Sequence, residues 1–317
     1  MYDVSFIIVS WNAKGYLEKC LRSIQPSGLY SAQIIVVDNA STDGSPEMVA
    51  RSFPNVCLIC NSENTGFARA NNIGIQQAQG RYLCLINSDA EAVDNCIEKL
   101  IAFMDEHLDI GMAGPRILNA DGSLQPSCRF FPTVWNNLCQ AIWLHRLFPK
   151  SAFFSEPFMI YWPHDEQRDV DAMRGCFWFV RRQAFEQVGK LDELFYIYGE
   201  DIDWCKRFHL NGWRVVFYPE ARAIHYGGAS SANAPIRFCL EMQKADLQYW
   251  RKYYGRAGEM VYRGILLLRH GLRVILAGMV RCFWPSRKQT SYVFRRSWAI
   301  VKYTLGFTKI DTNMDSD

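Results

Sequence analysis

From Val4 to Ile86 the chain alternates short β-branched apolar runs with segments of helical period: Val4–Ser10, Tyr16–Ile24, Gln33–Asp38, Pro46–Phe53, Val56–Asn61, Phe67–Ala78 and Tyr82–Ile86. Near-continuous apolar runs suit strands covered on both faces. Their alternation with helices predicts right-handed βαβ crossovers in a parallel sheet. Ligands of such sheets gather beyond the carboxyl ends of the strands. Four polar clusters fall there: Ser10–Asn12, Asp38–Asp43, Asn61–Asn64 and Asn87–Asp89.

After Ile86 the pattern predicts a helix over 94–107 and a strand and turn from Gly114 to Phe131 around Asn119-Ala120-Asp121-Gly122. Pro132–Asp169 is aromatic and without period, which reads as a loop or lid. Order returns with Asp171–Val180 and a helix over Gln183–Val188. An acidic cluster, Glu200-Asp201-Ile202-Asp203, then opens a helix to Leu210, and a strand over Trp213–Tyr218 leads to His225. Residues 235–254 and 262–284 read as helices, and no internal repeat is visible.

With 317 residues and 49% hydrophobic content the chain can bury one large core and carry an appendage, which argues against disorder over most of it. Charge divides it. Residues 1–250 carry 22 Lys+Arg against 28 Asp+Glu, whereas 251–317 carry 13 against 4, so the tail expects an anionic lipid or nucleic-acid neighbour. The 11 cysteines are scattered in apolar contexts, as in a reduced cytosolic chain. Cys57 and Cys60 lie on a strand-like run that points them to opposite faces, so a structural role is expected rather than zinc. The N-terminus begins on a strand and reads as lacking a signal peptide.

The turn after the first strand, Ser10-Trp11-Asn12-Ala13-Lys14-Gly15, lacks the glycines of a dinucleotide site, and no P-loop is present. Phosphate must then be held by side chains and a metal. Ser41–Gly44 reads as a turn and helix cap. Asp38 ends a buried strand and is desolvated unless a group such as a base or ribose hydroxyl donates to it. Asp89 reads equally as a ligand for a hard cation bridging a diphosphate or as a cap of the next helix. Glu200 and Asp201 sit amid Tyr196, Tyr198 and Trp204, where partial burial suits a general base, although acids also suit a helix N-terminus. Asp203 and Arg207 are spaced to pair. His225 precedes Tyr226-Gly227-Gly228 and gains meaning only beside a metal at Asp89.

In combination and order, several pieces resemble glycosyltransferase family 2, inverting enzymes with the A-type nucleotide-sugar fold, over about residues 3–254. They are Phe6-Ile7-Ile8-Val9-Ser10-Trp11-Asn12, Val37-Asp38-Asn39-Ala40-Ser41-Thr42-Asp43-Gly44, Asn64-Thr65-Gly66-Phe67-Ala68-Arg69-Ala70-Asn71-Asn72, Asn87-Ser88-Asp89 as a variant of D-x-D, Gly175-Cys176, Gly199-Glu200-Asp201-Ile202-Asp203 and His225-Tyr226-Gly227-Gly228. The Asn-Thr-Gly-Phe-Ala and Glu-Asp-x-Asp pieces look most like bacterial rhamnosyltransferases. The resemblance implies a nucleotide-binding half (1–90), an acceptor half (91–254) and a basic amphipathic helical tail (255–317). Ser10, Asn12 and Asp38 would contact the nucleoside, Asn64, Gly66 and Arg69 would complete that pocket, and Ser88 and Gly175 would join the nucleotide-sugar site. Asp89 and His225 would hold a divalent cation, Mg2+ or Mn2+, although Asn87 cannot contribute the charge of the first D. Asp201 would be the catalytic base with Glu200 beside it. Implied partners are a nucleoside diphosphate sugar, dTDP-rhamnose before a UDP-sugar, and a glycan or polyprenyl-linked acceptor. A non-catalytic nucleotide-sugar-binding protein would have little reason to keep Asp89, Asp201 and His225 together.

On a helical wheel Arg263, Arg269, His270, Arg273 and Arg281 fall within an arc of about 120°, opposite Ile265, Leu268, Leu272, Ile275, Met279 and Phe283. No stretch is free enough of charge to span a bilayer, so an interfacial helix is expected. Trp284 and further cations at Arg287, Lys288, Arg295, Arg296 and Lys302 point to an anionic membrane surface along 262–302, at the cytoplasmic face of the cell membrane. The alternative is a helix packed on the body with its arginines in water. The apolar face and acidic body argue against nucleic acid, and an oligomer is compatible with this reading.

Overall fold

The computed structural model describes residues 2–26, 28–155, 157–227, 235–283 and 288–310. Gly228, Trp284 and Arg287 lie outside the described residues. The strands are β1 (Val4–Ser10), β2 (Ala32–Asp38), β3 (Cys57–Cys60), β4 (Tyr82–Ile86), β5 (Ala90–Val93), β6 (Ile110–Leu118), β7 (Cys128–Arg129), β8 (Arg168–Asp169), β9 (Ala172–Met173), β10 (Phe177–Arg181) and β11 (Arg214–His225). The helices are α1 (Lys14–Ser23), α2 (Ser45–Ser52), α3 (Phe67–Gln77), α4 (Cys96–Glu106), α5 (Val134–Ala141), α6 (Leu144–Leu147), α7 (Arg182–Val188), α8 (Glu200–Leu210), α9 (Pro235–Phe283) and α10 (Lys288–Thr304).

Contacts divide the chain into two compact units. The first comprises Met1–Phe131, Pro163–Tyr196 and Glu200–Ser230; the second comprises Pro132–Trp162, Ile197–Gly199 and Ser231–Asp317. The division therefore does not fall at a single point near 254.

The first unit is built on a nine-stranded sheet of order β3-β2-β1-β4-β10-β6-β11-β5, with β8 paired to β11. Strands β1 to β4 are mutually parallel, as their apolar runs predicted. Beyond β4 the sheet is mixed, because β10 runs antiparallel to both β4 and β6. Apolar side chains of α1, α2 and α4, among them Leu17, Leu21, Met48, Leu100 and Phe103, join Phe6, Ile8, Val36 and Cys84 in one core. Strands sealed in this way leave polar side chains room only at their ends.

Strand β11 parallels β6 and β5 pairs it from the other side, with His225 opposite Ala90. The register shifts between Tyr218 and Arg222. Pro219 lies in that gap, where a residue without an N–H cannot extend the ladder. Strand β5 also settles the alternative role of Asp89. Helix α4 begins only at Cys96, behind Asn95, so Asp89 caps nothing.

In the second unit, the segment expected as a loop carries α5. Thr133 and Asn136 form a reciprocal capping box that starts it. Helix α5 packs on α9, which is broken at Gly255 (φ 67°, ψ −166°). Helix α10 packs along α9, and Arg263 Nη1 donates to the Thr304 carbonyl.

This pairing corrects the expected orientation of the tail. His270, placed by the wheel on the cationic arc, is 3% exposed, and Arg269 of the same arc donates to Gln140 in α5, while Arg281 stays exposed. Leu268, Ile275, Leu276, Met279 and Phe283, by contrast, stand exposed as one apolar stripe. No helix of the described residues is long and apolar enough to cross a membrane.

Burial, with Arg269 and Arg273 from α9 and Arg296 from α10, depresses the His270 pKa from 6.5 to about 2. Neither ring nitrogen has a partner among the described residues. The unfolded chain therefore binds a proton that the folded chain refuses. Stability is retained above about pH 6.5 and lost as pH falls towards 2, at about 1.4 kcal/mol per pH unit. His270→Leu is expected to gain thermal stability over the parent at pH 5.5 relative to pH 7.5 in parallel melts. An identical pH dependence in the two proteins would remove this account.

Candidate active site

Ser10 and Asp38 end adjacent parallel strands in register, which directs both side chains to one face. Both are buried, at 0% and 2% exposure. Asp38 Oδ2 accepts the Ser41 N–H at 2.8 Å, while Asp38 Oδ1 and Ser10 Oγ have no partner among the described residues. An acceptor and a hydroxyl side by side in a dry strand end suit a ligand that donates and accepts, such as a base edge or ribose hydroxyl.

The neighbouring loop is held by a residue that sequence reasoning treated only as turn. Asn39 donates from Nδ2 to the Gly66 carbonyl at 3.1 Å. Its Oδ1 accepts from Asn61 Nδ2 at 2.8 Å and from the Thr65 hydroxyl at 3.2 Å. Asn64 Oδ1 accepts the Gly66 N–H at 3.0 Å and the Tyr196 hydroxyl at 3.3 Å. Gly66 sits at φ 84°, and a Cβ there would lie 2.5 Å from the Tyr196 carbonyl oxygen. That carbonyl accepts the first N–H of α3, from Phe67, at 2.8 Å. Asn64 and Gly66 thus shape the loop around Tyr196. Asn12 (φ 50°) accepts the Thr42 N–H at 2.8 Å through Oδ1 and braces the turn after β2, and Arg69 is exposed on the first turn of α3.

At the end of β4 the Ala90 N–H donates to the Asn87 carbonyl at 3.0 Å, closing a turn over Ser88 and Asp89. The β5–β11 register and a Tyr226 N–H to Asp89 carbonyl bond (3.0 Å) bring His225 beside it. Asp89 Oδ1 lies 3.3 Å and Asn87 Nδ2 3.4 Å from His225 Nε2. Ser88 is half-buried on the same turn, and the Asn87 N–H donates to the Cys176 carbonyl. Gly175 lies next to Cys176, where a Cβ would meet the Trp178 ring at 3.0 Å, so its small size serves packing. Among the described residues no group of three or more His, Cys, Asp or Glu stands ready for a metal. Asp89 and His225 nonetheless supply a hard carboxylate and an imidazole, a donor pair that fits a divalent cation taking its other ligands from a diphosphate and water.

The acids at the start of α8 take three separate roles. Asp203 pairs with Arg207 at 2.9 Å, as their spacing predicted. Asp201 Oδ2 faces Arg129 Nη1 at 3.3 Å, a largely buried ion pair with no warning in the sequence. Glu200 is buried, and its Oε2 has no partner among the described residues. Desolvation and the Asp201 charge push its carboxyl well above the ordinary range. The helix N-terminus favours the negative charges gathered there. Arg129 and Gln125 were missed because their partners are distant in sequence: Arg129 reads as one more cation, and Gln125 as one more turn-flanking amide.

A mixed sheet with four parallel strands on one side, strand-end polar residues and an acidic helix start defines a glycosyltransferase of the A-type nucleotide-sugar fold. The chain belongs to glycosyl transferase family 2, whose sequence profile matches residues 5–189. It is 26% identical over 295 residues to the N-acetylglucosaminyl-diphospho-decaprenol L-rhamnosyltransferase of Mycobacterium tuberculosis, covering 86% of this chain and 95% of that protein. It is also 26% identical over 244 residues to the dTDP-rhamnosyl transferase RfbF of Shigella flexneri, covering 74% of each. Among solved structures, mannosyltransferase PcManGT from Pyrobaculum calidifontis, in complex with GDP-Man and Mn2+, superposes with a TM-score of 0.56 at 14% identity. It covers 97% of this chain and 88% of that one, and supports the fold.

Gly66→Ala is expected to cost roughly 2–4 kcal/mol, since it adds positive-φ strain to a clash with backbone. Denaturant unfolding would measure it. A stability within about 0.5 kcal/mol of the parent would show that the Tyr196 segment is not fixed as described.

Proposed function

We propose that this enzyme transfers rhamnose from dTDP-rhamnose, with inversion, to a hydroxyl of a lipid-linked saccharide at an anionic membrane surface. The observation that carries the reading is the convergence, at the carboxyl ends of the strands, of the unpartnered Ser10 Oγ and Asp38 Oδ1 with the Asp89–His225 pair. It is a site for a nucleoside joined to a charged diphosphate. Similarity to two rhamnosyltransferases along most of the chain supports rhamnose as the sugar.

In this reading Ser10 and Asp38 bind the nucleoside, while Asn12, Asn64, Gly66 and Arg69 shape or border its pocket. Ser88 and Gly175 border the diphosphate. Asp89 and His225 would hold a divalent cation, Mg2+ or Mn2+, which when bound offsets the charge developing on the leaving diphosphate. Asn87 brings no charge, so the nucleotide supplies much of that cation's binding. Asp201 takes the proton of the acceptor hydroxyl as its oxygen attacks the anomeric carbon. Arg129 orients it, and Glu200, its carboxyl pushed well above the ordinary range by burial and the Asp201 charge, stands beside it. A correctly placed base contributes about 10²–10⁴ in rate.

The second unit supplies the membrane reading. It carries 17 Lys+Arg against 7 Asp+Glu, and its exposed α9 stripe adds apolar area beside those cations. That combination suits an interfacial helix on anionic lipid.

Asp201→Asn is expected to lower turnover with dTDP-rhamnose and a lipid-diphosphate saccharide by at least about a hundredfold while dTDP binds as tightly as before. Turnover at the parental rate would remove the base assignment, and a panel of donor sugars would expose a wrong donor. Ile275→Asp with Met279→Asp is expected to reduce co-sedimentation with phosphatidylglycerol vesicles severalfold. Retention equal to the parent would sink the membrane surface.

A further inference from the structure

The turn Asn119-Ala120-Asp121-Gly122 leads into Gln125, whose side chain reaches His225. The hairpin is tight: the Gly122 N–H donates to the Asn119 carbonyl at 2.9 Å, and Asp121 Oδ1 accepts both the N–H and the hydroxyl of Ser123. The Gln125 N–H returns to the Ile117 carbonyl at 2.9 Å, which anchors Gln125 to β6.

Each amide in this group has its orientation set by a backbone carbonyl, which can only accept. Asn119 Nδ2 donates to the Leu124 carbonyl at 3.3 Å and to the Ser123 hydroxyl at 2.9 Å, which leaves Asn119 Oδ1 as an acceptor. Gln125 Nε2 donates to that Oδ1 at 2.8 Å and to the His225 carbonyl at 3.1 Å. Gln125 Oε1 therefore points at His225 Nδ1, 2.6 Å away. An amide oxygen cannot donate, so Nδ1 carries the hydrogen. In the neutral ring Nε2 then holds a lone pair, and it faces Asp89 Oδ1 at 3.3 Å. Two acceptors at that distance repel unless a positive group stands with both. The Asn87 amide, whose Nδ2 is 3.4 Å from Nε2, supplies only a partial positive charge.

We propose that Gln125 is a positioning residue for a divalent cation: it locks His225 as the Nδ1–H tautomer and so presents the Nε2 lone pair beside Asp89. The inference rests on the cation reading of Asp89 and His225. A hydrogen-bond acceptor behind a ligating imidazole fixes ring and tautomer and raises donor strength, and losing it costs about 10–100-fold in metal affinity.

The experiment combines two readouts on the full chain. Long-range 15N–1H spectra of histidine-labelled, metal-free protein at pH 8 report the tautomer, and six histidines keep the spectrum tractable. Electron paramagnetic resonance of free Mn2+ reports binding with and without dTDP. The parent is expected to show His225 as the neutral Nδ1–H ring. Gln125→Leu is expected to release it to the Nε2–H form and weaken Mn2+ binding by about 10–100-fold. A parental circular-dichroism spectrum of Gln125→Leu controls for loss of fold. An Nε2–H or doubly protonated ring in the parent, or parental Mn2+ affinity in Gln125→Leu, overturns the role of Gln125. Absence of Mn2+ binding by the parent, with dTDP present, removes the cation reading itself and the inference with it.

Discussion

The parallel pairing of β1 with β2 and β4 is the constraint on which the rest depends. It aligns three carboxyl ends, and because the strand interiors are apolar and covered, polar side chains are left to the strand ends. Ser10, Asp38 and Asn87–Asp89 are thereby gathered by backbone geometry before any of them makes a specific contact. Inserting β10 antiparallel between β4 and β6 leaves β6 and β11 running the same way as β4. His225 is thus delivered to the same edge from a strand remote in sequence.

Much of this was legible in sequence where the period was unambiguous. The first four strands and α3 follow their apolar runs, and the strand-end clusters lie at strand ends because burial forbids them elsewhere. Less was visible where meaning depends on distant partners. Strand β5 is four residues long, too short for a period to declare itself, so Asp89 appeared free to cap a helix. Helix α5 rests on a Thr133–Asn136 box in a stretch whose aromatic residues obscure its register. Arg129 and Gln125 acquire their roles only when the chain returns with Asp201 and His225.

The acids of α8 illustrate how environment separates like groups. Glu200, Asp201 and Asp203 are neighbours in sequence, yet one has its carboxyl pushed upward by burial and the Asp201 charge, one faces Arg129, and one is tied to Arg207. Composition alone gives three equivalent carboxylates. The fold makes a desolvated acid, an ion-paired carboxylate and a strut.

Helix α9 carries two codes on interleaved positions. His270 and Arg263 lie on the side packed by α10, while Leu268, Ile275, Met279 and Phe283 are exposed on the other. Changes at Ile275 or Phe283 on the outer stripe therefore carry less folding penalty than changes at the buried His270. The outer surface can therefore be altered to change what it adheres to while the buried His270 beneath it is left in place.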